Sequence, residues 1–176
     1  MRAARVNPAL ASIPLEDRIA VTLFTRRAHA AVNAALAQGT ATPGSPEALY
    51  ARVLASGLNQ LPPAGSRLLF RGMSFADADL LRRFLERYAP GASVVEPRFW
   101  SVSDSPTVAF RGFGGSVELT FTGGSSARPL GALSPSRTHR EGVFLAGTRF
   151  DVSTAVTRQT DQGTRHALQL SDAGQE

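Results

Sequence analysis

The stretch Thr138-His139-Arg140-Glu141-Gly142-Val143-Phe144-Leu145-Ala146-Gly147-Thr148-Arg149-Phe150-Asp151-Val152 sets a lone carboxylate at the mouth of an apolar strand. Val143, Phe144 and Leu145 are a β-prone run, Ala146-Gly147-Thr148 is a turn, and Phe150 with Val152 begins a second strand in period-two alternation. A carboxylate where a buried strand begins is costly unless it is solvated, paired or used. Taken alone, Glu141 reads as an ordinary strand-end residue facing water. Its company elsewhere in the chain gives it a second reading, as the edge of an active site.

Downstream, Phe150 to Thr157 and Arg165 to Leu170 read as a hairpin around Asp161-Gln162-Gly163, and the tail from Ser171 is expected to fray. Upstream, Val117 to Thr122 is a strand, Gly123 to Ser126 a turn, and Arg128 to Arg140 an irregular stretch with Pro129, Gly131 and Pro135. Arg67 to Phe70 is a short strand that delivers Arg71-Gly72 at its end. Arginine there presents a planar fork to a phosphate and Gly72 admits close approach to the backbone; the bland reading is a surface arginine beside a turn glycine. In Phe99-Trp100-Ser101-Val102-Ser103, alternation puts Phe99, Ser101 and Ser103 on one face and Trp100 with Val102 on the other. Two serines on one face either hydrogen-bond a neighbouring carboxylate or form the polar side of a half-exposed strand. Asp104-Ser105-Pro106 starts a helix through Val108, Ala109 and Phe110, and Gly112, Gly114 and Gly115 make a loop around Phe113 that lacks the lysine and hydroxyl of a P-loop.

The first half is helical in pattern. Ile13 to Ala37 carries Leu15, Ile19, Leu23, Val32 and Leu36 at helical spacing; Ser45-Pro46 caps a second helix with Leu49, Tyr50, Val53, Leu54, Leu58 and Leu61 as its stripe. Asp77 to Tyr88 is a third, with Leu80, Leu81, Phe84, Leu85 and Tyr88 inward. The first two bear no chemical constellation, and they are expected to brace one side of the core.

A chain of 176 residues, 43% hydrophobic and 19% charged, suits one domain, 1–176, divided into a helical part (1–62) and a β-rich core (66–171). With no cysteine there are no disulfides and no thiolate metal sites. The apolar runs are too short to span a membrane, and Met1 to Asp17 lacks the apolar core of a signal peptide. The net charge of +5 comes from scattered arginines, with no lysine, so no nucleic-acid tract is indicated.

Three segments then fall in order: Leu68-Leu69-Phe70-Arg71-Gly72, Phe99-Trp100-Ser101-Val102-Ser103, and His139-Arg140-Glu141 running on to Gly147-Thr148-Arg149-Phe150. Their order and flanks resemble the Arg-Ser-Glu class of mono-ADP-ribosyltransferases, which includes bacterial ADP-ribosylating toxins. Phe24-Thr25 and Val32-Asn33-Ala34-Ala35-Leu36 resemble that class's first helix, so the likeness covers nearly the whole chain. The resemblance implies an α+β fold, with N-terminal helices packed on two small, bent antiparallel sheets that form an NAD cleft. It implies that NAD is the substrate, that Arg71 holds its phosphates and that Gly72 meets the nicotinamide amide. Ser101 and Ser103 would sit at the same subsite, Ser101 orienting Glu141, and Phe110 or Phe113 would pack on the nicotinamide. Glu141 is then the catalytic glutamate, gripping the ribose 2′-hydroxyl and stabilising positive charge as the N-glycosidic bond breaks, chemistry that calls for no metal.

Two positions depart from that pattern. Val102 replaces the middle threonine of the serine motif and points away from the site, and His139 stands where the class carries glutamate or glutamine. His139 is therefore either a general base toward the acceptor or a residue that shapes the loop; a zinc role is disfavoured because His29 and His166 are far off in sequence. The resemblance further implies a delivered or secreted effector without a signal peptide, monomeric, acting in a target-cell cytoplasm without a membrane. Its acceptor is a macromolecule, protein ahead of nucleic acid, and an immunity protein would guard the producing cell. The alternatives are an NAD glycohydrolase that depletes NAD, and a non-catalytic module that binds a nucleotide or partner protein.

Overall fold

In the computed structural model, which describes residues 12–65, 67–112 and 114–175 (without the Arg137 side chain), the first part of the chain is helical. Helix α1 (Leu15–Leu23) passes through a π-helical turn (Phe24–Ala28) into α2 (His29–Gln38), and α3 (Pro46–Asn59) folds back against α1. Ser45 caps α3, its hydroxyl accepting the Ala48 amide at 3.2 Å, with proline at the first helical position. Asp77 caps α4 (Ala78–Arg87) in the same way through the Leu80 amide. The strands are β1 (Leu69–Met73), β2 (Ser93–Glu96), β3 (Trp100–Ser103), β4 (Val117–Thr122), β5 (Ala127–Pro129), β6 (Glu141–Phe144), β7 (Thr148–Thr160) and β8 (Gly163–Gln175).

The α+β class is as the sequence implies, and the sheet adds two corrections. The eight strands form one sheet in the order β2-β7-β8-β4-β1-β3-β6-β5 rather than two separate ones. Between β1 and β3, however, the pairing is the single register pair Phe70↔Ser103, so the sheet nearly parts there into two halves. Nor is it wholly antiparallel: β8 runs parallel to β4 from Val117↔His166 to Thr122↔Ser171, because the β7–β8 hairpin carries the chain back in the direction of β4. The tail from Ser171 does not fray. It continues β8 to Gln175 opposite Thr148, pinned where the Asp172 carboxylate accepts the Ser126 amide at 2.7 Å and the Ser126 hydroxyl at 2.9 Å.

Alternation along β3 and β6 divides the core between the two faces of the sheet. Trp100, Val102 and Phe144 join Phe121, Phe150, Phe84 and Tyr88 in an aromatic core beneath α4, where Tyr88 and Phe150 stack on Trp100 at centroid distances of 5.8 and 5.6 Å. Phe99, Val143 and Leu145 join Val21, Phe24, Val32, Leu54 and Leu58 on the opposite face, beneath the N-terminal helices. Those helices brace the half of the sheet that carries β3 and β6.

The buried face of α1 is not the one its apolar spacing selects. Leu15, Ile19 and Leu23 are 61, 48 and 42% exposed, whereas Asp17, Ala20, Val21 and Phe24 are buried. A polar contact decides the rotation: the Asp17 carboxylate accepts Gln60 Nε2 at 2.6 Å and the Ser56 hydroxyl at 2.9 Å. Gly57 lets the helices close, since a Cβ there would lie 3.0 Å from the Asp17 carbonyl. The π turn then re-phases the helix, so that Phe24 and Val32 face the core while Thr25, His29 and Asn33 face a cleft above β3.

Candidate active site

The cleft opens where the sheet nearly parts. Beyond the Phe70↔Ser103 pair, residues 71–73 keep β4 as a neighbour but have no strand on the β3 side, leaving one backbone edge of β1 open. A space of about 310 Å³ lies there, lined by Arg71 and Gly72 of β1, Ser101 of β3, Glu141 of β6, His139 before it, and Thr25, His29 and Asn33 of the helical layer. The three segments singled out in the sequence therefore converge on one surface.

Ser101 sits between the two charged groups. Its carbonyl accepts Arg71 Nη1 at 2.6 Å, and its hydroxyl hydrogen-bonds the Glu141 carboxylate. Burial pushes the Glu141 carboxyl above its ordinary range, against the opposing pull of hydrogen bonds from Ser134 and Ser101 and of the nearby His139 and His29. Burial also lowers Arg71 to about 10, Arg98 pressing the same way and Glu96 opposing, so the guanidinium stays charged at neutral pH. One Arg71 donor serves Ser101, and Nε is buried with no protein partner, which leaves donor capacity suited to an anionic group.

Behind Arg71 lies a buried counter-charge. Glu96, 1% exposed, accepts the Tyr88 hydroxyl at 2.6 Å and Arg98 Nε and Nη2 at 2.5 and 3.0 Å. The Arg98 and Arg71 guanidinium carbons lie 5.6 and 5.7 Å from the Trp100 ring centroid. Burial, with Glu96 adding to it, raises the Tyr88 hydroxyl above its ordinary range, so Tyr88 stays a donor.

Glu141 enters β6 from a kinked backbone. Arg140 has φ 49°, the one positive value at a non-glycine position among the described residues, and its guanidinium pairs with Asp104, with Nε–Oδ1 at 2.6 Å and Nη2–Oδ2 at 2.9 Å. Such a conformation costs about 1 kcal/mol and persists where surrounding contacts fix it. Ser103 opposes Glu141 in the ladder, but its buried hydroxyl is turned to backbone, donating to the His139 carbonyl at 2.7 Å and accepting the Ser105 amide at 3.0 Å. It fixes the loop rather than offering a group to a ligand.

Of the expected aromatics, Phe110 packs edge-on against Phe70 at 5.7 Å, and it is Phe70 that lines the cleft; Phe113 lies outside the described residues. Gly72 has a steric reason of its own, because a Cβ would come 2.5 Å from the Ala109 carbonyl in the π-helical turn Val108–Gly112. Asn33 is not free for a ligand: Nδ2 donates to the Phe99 carbonyl and Oδ1 accepts the Phe99 amide, both at 2.9 Å, which clamps α2 to the start of β3.

Sequence reading missed Ser134 and His29. Ser134, 9% exposed, donates to Glu141 Oε2 at 3.0 Å from an irregular loop whose spacing gives no sign of it. His29 reaches the cleft because of the π turn, with Nδ1 3.2 Å from the Phe24 carbonyl, whereas His166 lies away on β8 beside Thr157. Among the described residues no group of three or more His, Cys, Asp or Glu is placed to hold a metal ion. No helix among them is long and apolar enough to cross a membrane.

No protein-family model matches the sequence, and no curated protein matches it. Solved structures do match in fold. The Paenibacillus larvae ADP-ribosyltransferase toxin Plx2a superposes with TM-score 0.75 at 15% identity, over 94% of this chain and 90% of that one. The ADP-ribosyltransferase HopU1 of Pseudomonas syringae pv. Tomato gives 0.75 at 18% identity, over 94% and 80%. Exoenzyme S from Pseudomonas aeruginosa, solved with human 14-3-3 protein beta and Carba-NAD, gives 0.72 at 22% identity, over 92% and 75%. The fold is that of the bacterial ADP-ribosyltransferase toxins and effectors.

Proposed function

We propose that this protein is an NAD-dependent mono-ADP-ribosyltransferase that moves ADP-ribose from NAD to a macromolecular acceptor and releases nicotinamide. The observation that carries the reading is the set of three side chains in one cleft: Glu141 and Arg71, both charged, on either side of Ser101, which bonds to each. A fixed carboxylate beside a phosphate-competent guanidinium suits a substrate with a pyrophosphate at one end and a cationic leaving group at the other.

In this reading Arg71 anchors the pyrophosphate, so that binding far from the reacting carbon positions the ribose. The bond between ribose C1′ and the nicotinamide nitrogen breaks and its electron pair leaves with nicotinamide. The Glu141 carboxylate, held by Ser101, accepts the ribose 2′-hydroxyl and stabilises the oxocarbenium-like charge. The acceptor's lone pair closes the new bond to C1′, and its proton passes to a base, for which His139 is the candidate at the cleft. Protein is the preferred acceptor, and delivery of the chain as an effector, with an immunity protein in the producing cell, belongs to the same proposal.

The test is nicotinamide release from labelled NAD by the wild type and Glu141→Gln, with and without cell lysate. Glu141-dependent release that grows with lysate and puts label on a macromolecule is the expected result. Equal Glu141-dependent release without lysate means a glycohydrolase, and no release in either mixture returns the chain to a binding role.

A further inference from the structure

We propose that Ser134 is a positioning residue for Glu141: a second hydroxyl clamp, borne by the β5–β6 loop, that fixes the carboxylate from the side opposite the strand-borne Ser101. The proposal rests on the transferase reading above.

The loop around Ser134 is held in place. The Leu130 amide donates to the Glu141 carbonyl at 2.9 Å, the short 3₁₀ turn Gly131–Leu133 follows, and Leu133 is buried among the residues of the helical face. Ser134 is thus delivered to the carboxylate by backbone and core contacts on both sides, and at 9% exposure it is not readily replaced by water. Its hydroxyl lies 3.0 Å from Glu141 Oε2 and 3.1 Å from the Ser136 carbonyl. A hydroxyl has one proton and donates fully to one acceptor at a time. The charged carboxylate is the stronger acceptor, so the proton goes to Glu141 while the loop keeps this shape.

The consequence is a division of labour. Ser101 sits on a strand paired on both sides and cannot follow the loop, whereas Ser134 moves with residues 131–140, which include the cleft-lining His139. Anything that displaces this loop, an arriving acceptor included, alters the second clamp while leaving the first. The charged groups around the carboxylate are His139 on the same loop, His29 from α2 and Arg71 from β1 across the cleft.

Ser134→Ala removes the hydroxyl, and the isosteric pair Ser134→Thr and Ser134→Val isolates it from shape should the alanine variant lose stability. The first readout needs no turnover: the Glu141 carboxyl pKa by carbon NMR of side-chain-labelled glutamate, assigned with Glu141→Gln. It is expected to rise in the Ala and Val variants and to stay near wild type with Thr. The second is nicotinamide release, in which kcat is expected to fall about tenfold in Ala and Val, the scale of one hydrogen bond to a charged group, with KM for NAD within about twofold and recovery in Thr. The acid limb of the pH profile moves up with the pKa. An unmoved pKa overturns the proposal, as does an unchanged kcat in an enzyme that needs Glu141. If Glu141→Gln itself leaves release untouched, the transferase reading fails, and the NMR titration still decides whether the clamp exists.

Discussion

Asn33 offers a test of how the helical layer holds the site. Its side chain imitates a strand neighbour, giving Nδ2–H to the Phe99 carbonyl and taking the Phe99 amide at 2.9 Å each, one residue before β3 begins. Asn33→Ala deletes both bonds beside a residue only 2% exposed. A lost hydrogen bond costs about 1 kcal/mol where water replaces it and about 1–3 kcal/mol where a buried group is orphaned, so two give roughly 2–4 kcal/mol. For a chain of this size each kcal/mol lowers Tm by about 2–4 °C, a total of roughly 4–16 °C. Asn33→Asp separates geometry from charge. The carboxylate still accepts the Phe99 amide but faces the Phe99 carbonyl with no proton to give, whereas the protonated acid restores the donor. Its folded pKa is therefore raised above the unfolded value of about 3.9. Stability is fully present below the unfolded pKa and is lost as pH rises through the folded one. Urea unfolding at pH 4 and pH 8, with m unchanged, is the assay. An Asn33→Ala loss under about 0.5 kcal/mol, the usual spread for surface changes, or a pH-independent Asn33→Asp deficit, refutes the clamp.

Other perturbations follow from the same geometry. Because burial raises the Glu141 pKa, the folded state holds that proton more tightly than the unfolded chain, so ionised Glu141 costs stability as pH rises through its titration. Glu141→Gln removes that cost, and the Tm difference between variant and wild type should grow from pH 4 to pH 8; a constant difference contradicts the raised pKa. The acid limb of nicotinamide release should likewise lie above the ordinary glutamate range of about 4.3, since the working form is the carboxylate. Gly72→Ala would drive a Cβ to 2.5 Å from the Ala109 carbonyl, forcing the 108–112 turn off β1. The expected loss is about 1–3 kcal/mol with weaker NAD binding, and calorimetry showing wild-type affinity would refute the packing argument. Leu15→Gln and Ile19→Gln should each change stability by less than about 0.5 kcal/mol, because these side chains are 61 and 48% exposed; losses of core size would restore the apolar-stripe assignment.

What the sequence made legible was local or short-range. Alternation placed Trp100 and Val102 on one face and Phe99 and Ser101 on the other, and proline and cap residues fixed the starts of α3 and α4. Motif order brought Arg71, Ser101 and Glu141 together. What stayed hidden depends on partners distant in sequence or on a change of period. The rotation of α1 is decided by Asp17 meeting Ser56 and Gln60, not by α1 itself. His29 reaches the cleft through one π turn that no apolar spacing announces, and Ser134 is one serine among several in a loop whose shape is set by the strands it joins. The parallel β4–β8 pairing is equally non-local, since hydrophobic alternation says nothing of strand direction.

The arrangement also explains why the two working charges can wait together in one cleft without cancelling. A direct Arg71–Glu141 ion pair would have to be broken before either could serve a dinucleotide, and no such pair forms among the described residues. Each is satisfied by a neighbour that leaves it charged. Arg71 gives one donor to the Ser101 carbonyl and is balanced from behind by Glu96, which is itself held by Arg98 and Tyr88. Glu141 receives hydroxyl protons from Ser101 and Ser134 and keeps a face to the cleft. Dipoles hold both charges in place and full counter-charge lies out of reach of the ligand, so little reorganisation is required when substrate arrives, which is the condition under which electrostatic stabilisation of a transition state is largest.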